Sequence, residues 1–79
     1  MNLESTKHYS VGSIRTIIDN YMMENHHQQW KKEMEEGDLV KAQFMRAERA
    51  MDYLNTLIEK GYQEHEAWEI VSTEIVYQM

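Results

Sequence analysis

The sequence predicts an all-α fold, a three-helix bundle or a helical hairpin with a long first helix, and three observations carry that prediction. The 79 residues contain no proline and three glycines, Gly12, Gly37 and Gly61, at steps of 25 and 24 residues. Glycine tolerates positive φ without a Cβ clash, so it ends helices and opens turns. Between the glycines, apolar residues recur at i, i+3 and i+4, the spacing of one helical face.

Residues 1–9 are polar and aperiodic and are expected to form a flexible tail ahead of a single helical domain over 10–79. Helix one begins near Ser10 or Ser13 and carries Ile14, Ile17, Ile18, Tyr21 and Met22 on one face. After Met23 the pattern changes: Asn25 to Gln29 is wholly polar, and Trp30 and Met34 then fall roughly opposite the Ile14/Ile18 stripe at about 100° per residue. A break near Asn25–His27 and one long helix with two faces both fit. With no Gly or Pro to interrupt it, one long, bent helix to Glu36 is expected.

Gly37 suits the C′ position of that helix, and Asp38 is a preferred N-cap for the next. Helix two runs from Leu39 to Lys60, with Val40, Phe44, Ala47, Met51, Leu54 and Ile58 as its core stripe. Leu39, Ala50, Tyr53 and Leu57 flank that stripe. Gly61 ends it. Tyr62 then takes the N′ place, Gln63 the N-cap and Glu66 the N3 acid of a capping-box-like start, with Tyr62 and Ala67 spaced for a hydrophobic staple. Helix three carries two apolar stripes, Trp68, Val71, Ile75 and Met79 beside Ala67, Ile70 and Tyr77, with Glu74 inside the second. The even glycine steps do not make a repeat: the residue seven after Gly37 is Phe44 and after Gly61 is Trp68, but after Gly12 it is Asp19.

Composition narrows the function classes. A chain this short buries only about 60–65% of the surface its unfolded form exposes, so self-association is an expected source of further stability. The absence of cysteine excludes disulfides, thiolate catalysis and thiolate metal sites. The start of the chain has no apolar run of signal-peptide kind, and no run approaches the ~18 residues of a membrane span, so a cytoplasmic protein without membrane partners is expected. A net charge of −6 argues against nucleic-acid binding, which draws its affinity from Lys and Arg on phosphates. From Gln63 onward there are four Glu and no Lys or Arg.

Candidate chemical sites are sparse. His26 and His27 are adjacent and point about 100° apart, so one ion cannot be shared between them on a helix, and no metal or other cofactor is expected. His65, Glu69 and Ser72 share a face of helix three, but seven residues of helix span about 10 Å, out of reach for a nucleophile and its base. No enzyme is expected. Helices two and three, joined tightly at Gly61, superficially form a helix-turn-helix, but its recognition helix would begin Gln63-Glu64-His65-Glu66, carboxylates that phosphates repel.

Leu57, Gly61, Tyr62 and Ala67 resemble the Met-Gly-Phe/Tyr loop region of ubiquitin-associated domains. The resemblance covers about two helices. That family prefers an apolar residue where Lys60 stands, and its third helix would have to follow where this chain stops, so ubiquitin binding is not carried over.

The apolar surplus is the most useful functional signal, since Trp, Tyr and Met are enriched at binding patches. The expected partner-binding residues are Trp30, Met34, Tyr53, Tyr62, Trp68, Ile75 and Tyr77, with Glu64, Glu66 and Glu69 as an acidic surface that steers a basic target. Glu74 inside an apolar stripe is expected to meet Arg46 or Arg49 across an interface. The expected function is a non-catalytic protein-interaction module, dimeric or of higher order, in the style of phage and mobile-element regulators and inhibitors. Two rivals remain: a nucleic-acid mimic whose carboxylates occupy a DNA- or RNA-binding site, and a nucleotide binder built at an oligomer interface.

Overall fold

The computed structural model describes residues 9–77. They form α1 (Val11–Asn25), α2 (His27–Glu35), α3 (Leu39–Glu59) and α4 (Glu64–Val71), the last continuing as a π-helical turn over Ser72–Val76. Among the described residues there is no strand. Of the expected tail, residues 1–8 lie outside the described residues, as does Met79 of the third apolar stripe. Tyr9 stacks on Trp68 with ring centroids 4.8 Å apart.

Ser10 starts α1. Its hydroxyl accepts from the Ser13 N–H at 3.1 Å, and the Ser13 hydroxyl accepts from the Ser10 N–H at 2.8 Å. This reciprocal pair satisfies two N–H groups that a helix start leaves without partners. Ile14, Ile18 and Met22 then point into the core at intervals of four.

The expected long helix is broken. His26, at φ −136° and ψ 51°, separates α1 from α2. On a straight helix Asp19 and Trp30 would stand about 16 Å apart; here the Trp30 indole N–H donates to Asp19 Oδ1 at 2.9 Å. The polar run at the bend offers no apolar contact to keep the helix straight. The Asn25 amide meanwhile donates back to the Tyr21 carbonyl at 3.0 Å, a local bond that competes with the helical ladder.

Gly37 and Gly61 make the two turns. At φ +81° and +109° both occupy the region open to glycine. Each closes a Schellman motif. Gly37 N–H donates to Met34 O and Asp38 N–H to Glu33 O, as Gly61 N–H does to Ile58 O and Tyr62 N–H to Leu57 O. Asp38 and Glu66 behave differently as caps. The Asp38 side chain makes no capping bond, whereas the Glu66 carboxylate accepts from the Gln63 N–H at 3.1 Å.

The core of α3 lies between the two stripes read from sequence. Gln43, Ala47, Ala50, Leu54 and Leu57 are buried, Met51 and Ile58 are half-buried, and Val40 and Phe44 are exposed. The seam turns toward Ala47 and Ala50, both with no exposed surface, because small side chains let a second helix approach closely. On α4, Val71 is followed into the core by Val76 rather than Ile75. The cause is the π turn, in which the Tyr77 N–H reaches back five residues to Ser72 O at 2.8 Å. It inserts one residue into the period.

Tyr9 stacks on Trp68, and the Tyr21 ring meets Tyr77 at 5.1 Å. Helices α1 and α4 therefore run the same way, and α3, reversed at Gly61, runs against both.

Candidate interaction surfaces

The residues expected to bind a partner divide into two groups. Trp30, Tyr53, Trp68 and Ile75 are half-buried and engaged within the fold. Trp30 bonds Asp19 and stacks on His27 at 5.7 Å, Trp68 stacks on Tyr9, and Ile75 packs against the core. The Tyr53 hydroxyl donates to Glu74 Oε1 at 2.8 Å, and that hydrogen bond holds the phenol pKa above its ordinary value. Met34, Tyr62 and Tyr77 are exposed. They lie on α2, in the α3–α4 turn and after the π turn; with the other four engaged within the fold, the seven do not form one exposed patch.

Within the fold Glu74 accepts from Tyr53, and Arg46, one of the two cations expected to meet it across an interface, is paired with Glu33. The Arg46 guanidinium grips Glu33 in a fork, Nη1 to Oε1 at 2.9 Å and Nη2 to Oε2 at 2.7 Å, with the two side chains 25% and 15% exposed. The Arg46 hydrogen bond outweighs burial and lowers the Glu33 pKa, and the same bond raises that of Arg46.

This pair belongs to a chain of polar contacts absent from the sequence reading. Gln29 donates to Glu33, Arg46 donates to Gln43 Oε1 at 2.8 Å, and Gln43 Nε2 donates to Asp19 Oδ1 at 3.3 Å. Asp19 also holds Trp30. Gln43 is 2% exposed, so its amide must be paired inside the fold. The chain joins α1, α2 and α3. Its one sequence signal is a polar residue, Gln43, four before the buried Ala47.

Since the folded state lowers the Glu33 pKa, ionised Glu33 stabilises the fold above the unfolded carboxyl value, and that contribution is lost as pH falls through the folded pKa. Glu33→Gln is therefore expected to cost about 1–2 kcal/mol at pH 7, between a surface and a buried pair. At pH 3 the difference from wild type should narrow. Urea unfolding at both pH values checks this, and an equal difference at both would contradict it.

Between α1 and α3 lies an open cleft of about 250 Å³, lined by Arg15, Thr16, Asp19, Leu39, Val40 and Gln43. It falls below the ~300–1,000 Å³ usual for small-molecule sites. His65 and Ser72 do not converge, as Ser72 is buried and its hydroxyl donates to the Glu69 carbonyl at 3.1 Å, while His65 is exposed. Among the described residues no group of three or more His, Asp or Glu could hold a metal ion, and no helix is long and apolar enough to cross a membrane.

Among the described residues, the exposed large apolar side chains other than Met23 and Met34 fall on two surfaces. One surrounds α4, where Tyr62 is 43% and Tyr77 53% exposed and Glu66 and Glu69 face solvent. The other is the outer face of α3, where Val40 is 67%, Phe44 46% and Met45 58% exposed. Sequence reasoning missed the second by placing Val40 and Phe44 in the core.

No protein-family model, curated protein or solved structure matches the chain.

Proposed function

We propose that this is a non-catalytic protein-interaction module, working in the cytoplasm as a regulator or inhibitor of a protein with a basic surface. The observation that supports this reading is the exposure of Tyr62 and Glu66 at the start of α4, of Glu69 within it and of Tyr77 beyond it, in a segment without Lys or Arg. Tyrosine supplies large contact area at low entropic cost, and the carboxylates steer a basic target and set its orientation. Trp68 is removed from the docking set, because its ring is stacked on Tyr9.

Affinity capture from host extract, followed by titration of the captured protein, tests the reading. Tyr62→Ala is expected to weaken binding by about tenfold or more. Glu66→Gln with Glu69→Gln should weaken it and flatten its salt dependence. Binding indifferent to salt and to all three changes would overturn the proposal. A captured protein that DNA displaces competitively would favour the nucleic-acid mimic.

A further inference from the structure

The outer face of α3 carries apolar surface and, in Lys41 and Glu48, two charges that complement each other about a twofold axis. Lys41 and Glu48 are both exposed, and neither makes an ion pair or side-chain hydrogen bond within the described fold. Seven residues separate them, about 10 Å or two turns, so they lie nearly in line along the helix. The midpoint between them falls between Phe44 and Met45.

We propose that this face binds a second copy of the chain, with the two α3 helices antiparallel about a twofold axis between Phe44 and Met45. A twofold contact must be self-complementary. Here the axis sets Lys41 against the partner's Glu48 and, by symmetry, Glu48 against the partner's Lys41. The two ion pairs bracket Phe44 and Met45, with Val40 at the edge. A parallel pairing would instead set Lys41 against the partner's Lys41, so charge selects the antiparallel arrangement. Arg49 lies at the flank of the contact and Asp38 and Asp52 toward its ends, where solvent screens their repulsions. The contact spans about four helical turns, less than a standard interface of ~800 Å² per partner. The dimer is therefore weak and its population depends on concentration.

This inference deepens the interaction reading but uses a different helix. A strictly monomeric protein that still bound its basic partner through α4 would remove the dimer and leave that reading standing. Sedimentation equilibrium of the full chain from about 10 µM to 1 mM, at low salt, is expected to show a monomer–dimer equilibrium. Lys41→Glu and Glu48→Lys should each weaken it about tenfold, since each creates two like-charge pairs per dimer. The double swap should return it to within about threefold of wild type.

The chain has no cysteine, so single labels report the geometry. Spin labels on Met45→Cys should lie within about 20 Å of each other, and labels on Glu59→Cys about 40 Å apart, whereas parallel helices would bring both pairs close. A monomer throughout the range, no recovery in the double swap, or a short Glu59→Cys distance would each overturn the proposal.

Discussion

Leu54→Ala is expected to destabilise the fold by about 2–5 kcal/mol, the range for truncating a fully buried leucine. Phe44→Ala, measured at a concentration low enough to keep the chain monomeric, is expected to cost less than about 1 kcal/mol. Leu54 has no exposed surface and sits in the cluster formed with Ile14, Ile18, Ala47 and Val71. Phe44 is 46% exposed. A 79-residue chain has a total stability of about 4–12 kcal/mol, so the first change takes a large part of it. Urea unfolding of both variants decides the matter. Equal losses would mean that the two residues share one core stripe, as the helical period alone implies. The opposite ranking would place the core on the Val40–Phe44 side of α3.

The contrast between these two residues shows where sequence reading stops. Local chemistry was legible: Gly37, Gly61 and Glu66 are placed by the unsatisfied backbone groups that helix ends must satisfy, and each has a corresponding bond in the structure, whereas the start near Ser10 or Ser13 resolves to Ser10 and the Asp38 side chain makes no capping bond. Two neighbouring stripes on α3 were legible too, but not the seam between them. Their angular separation is smaller than the apolar face, and the close approach at Ala47 and Ala50 sets where the neighbour lies. The π turn was hidden for a similar reason. Val71, Ile75 and Val76 are all apolar, so nothing in their chemistry says that the period lengthens by one residue. The surface reading fared least well. An aromatic side chain reads as a docking residue when its internal partner is remote in sequence, and Tyr9 lies 59 residues before Trp68.

Asp19→Ala is expected to release α2 from the rest of the molecule at a cost of about 2–4 kcal/mol. Helix α2 contains no fully buried residue, so apolar burial alone does not hold it. Two polar attachments supplement its partial packing: the Trp30 bond to Asp19 and the fork between Glu33 and Arg46. Asp19 Oδ1 accepts from both Trp30 and the buried Gln43 amide. Removing the carboxylate leaves the amide hydrogen of Gln43 without that acceptor, at about 1–3 kcal/mol, and frees the indole. Asp19→Asn keeps an acceptor oxygen in place and should recover most of the loss. Amide hydrogen exchange distinguishes local release from general weakening. In Asp19→Ala, protection over His27–Glu35 should fall well before that over α3. Unchanged protection there would mean that the Glu33–Arg46 fork holds α2 by itself, and then Glu33→Gln should produce the release that Asp19→Ala did not.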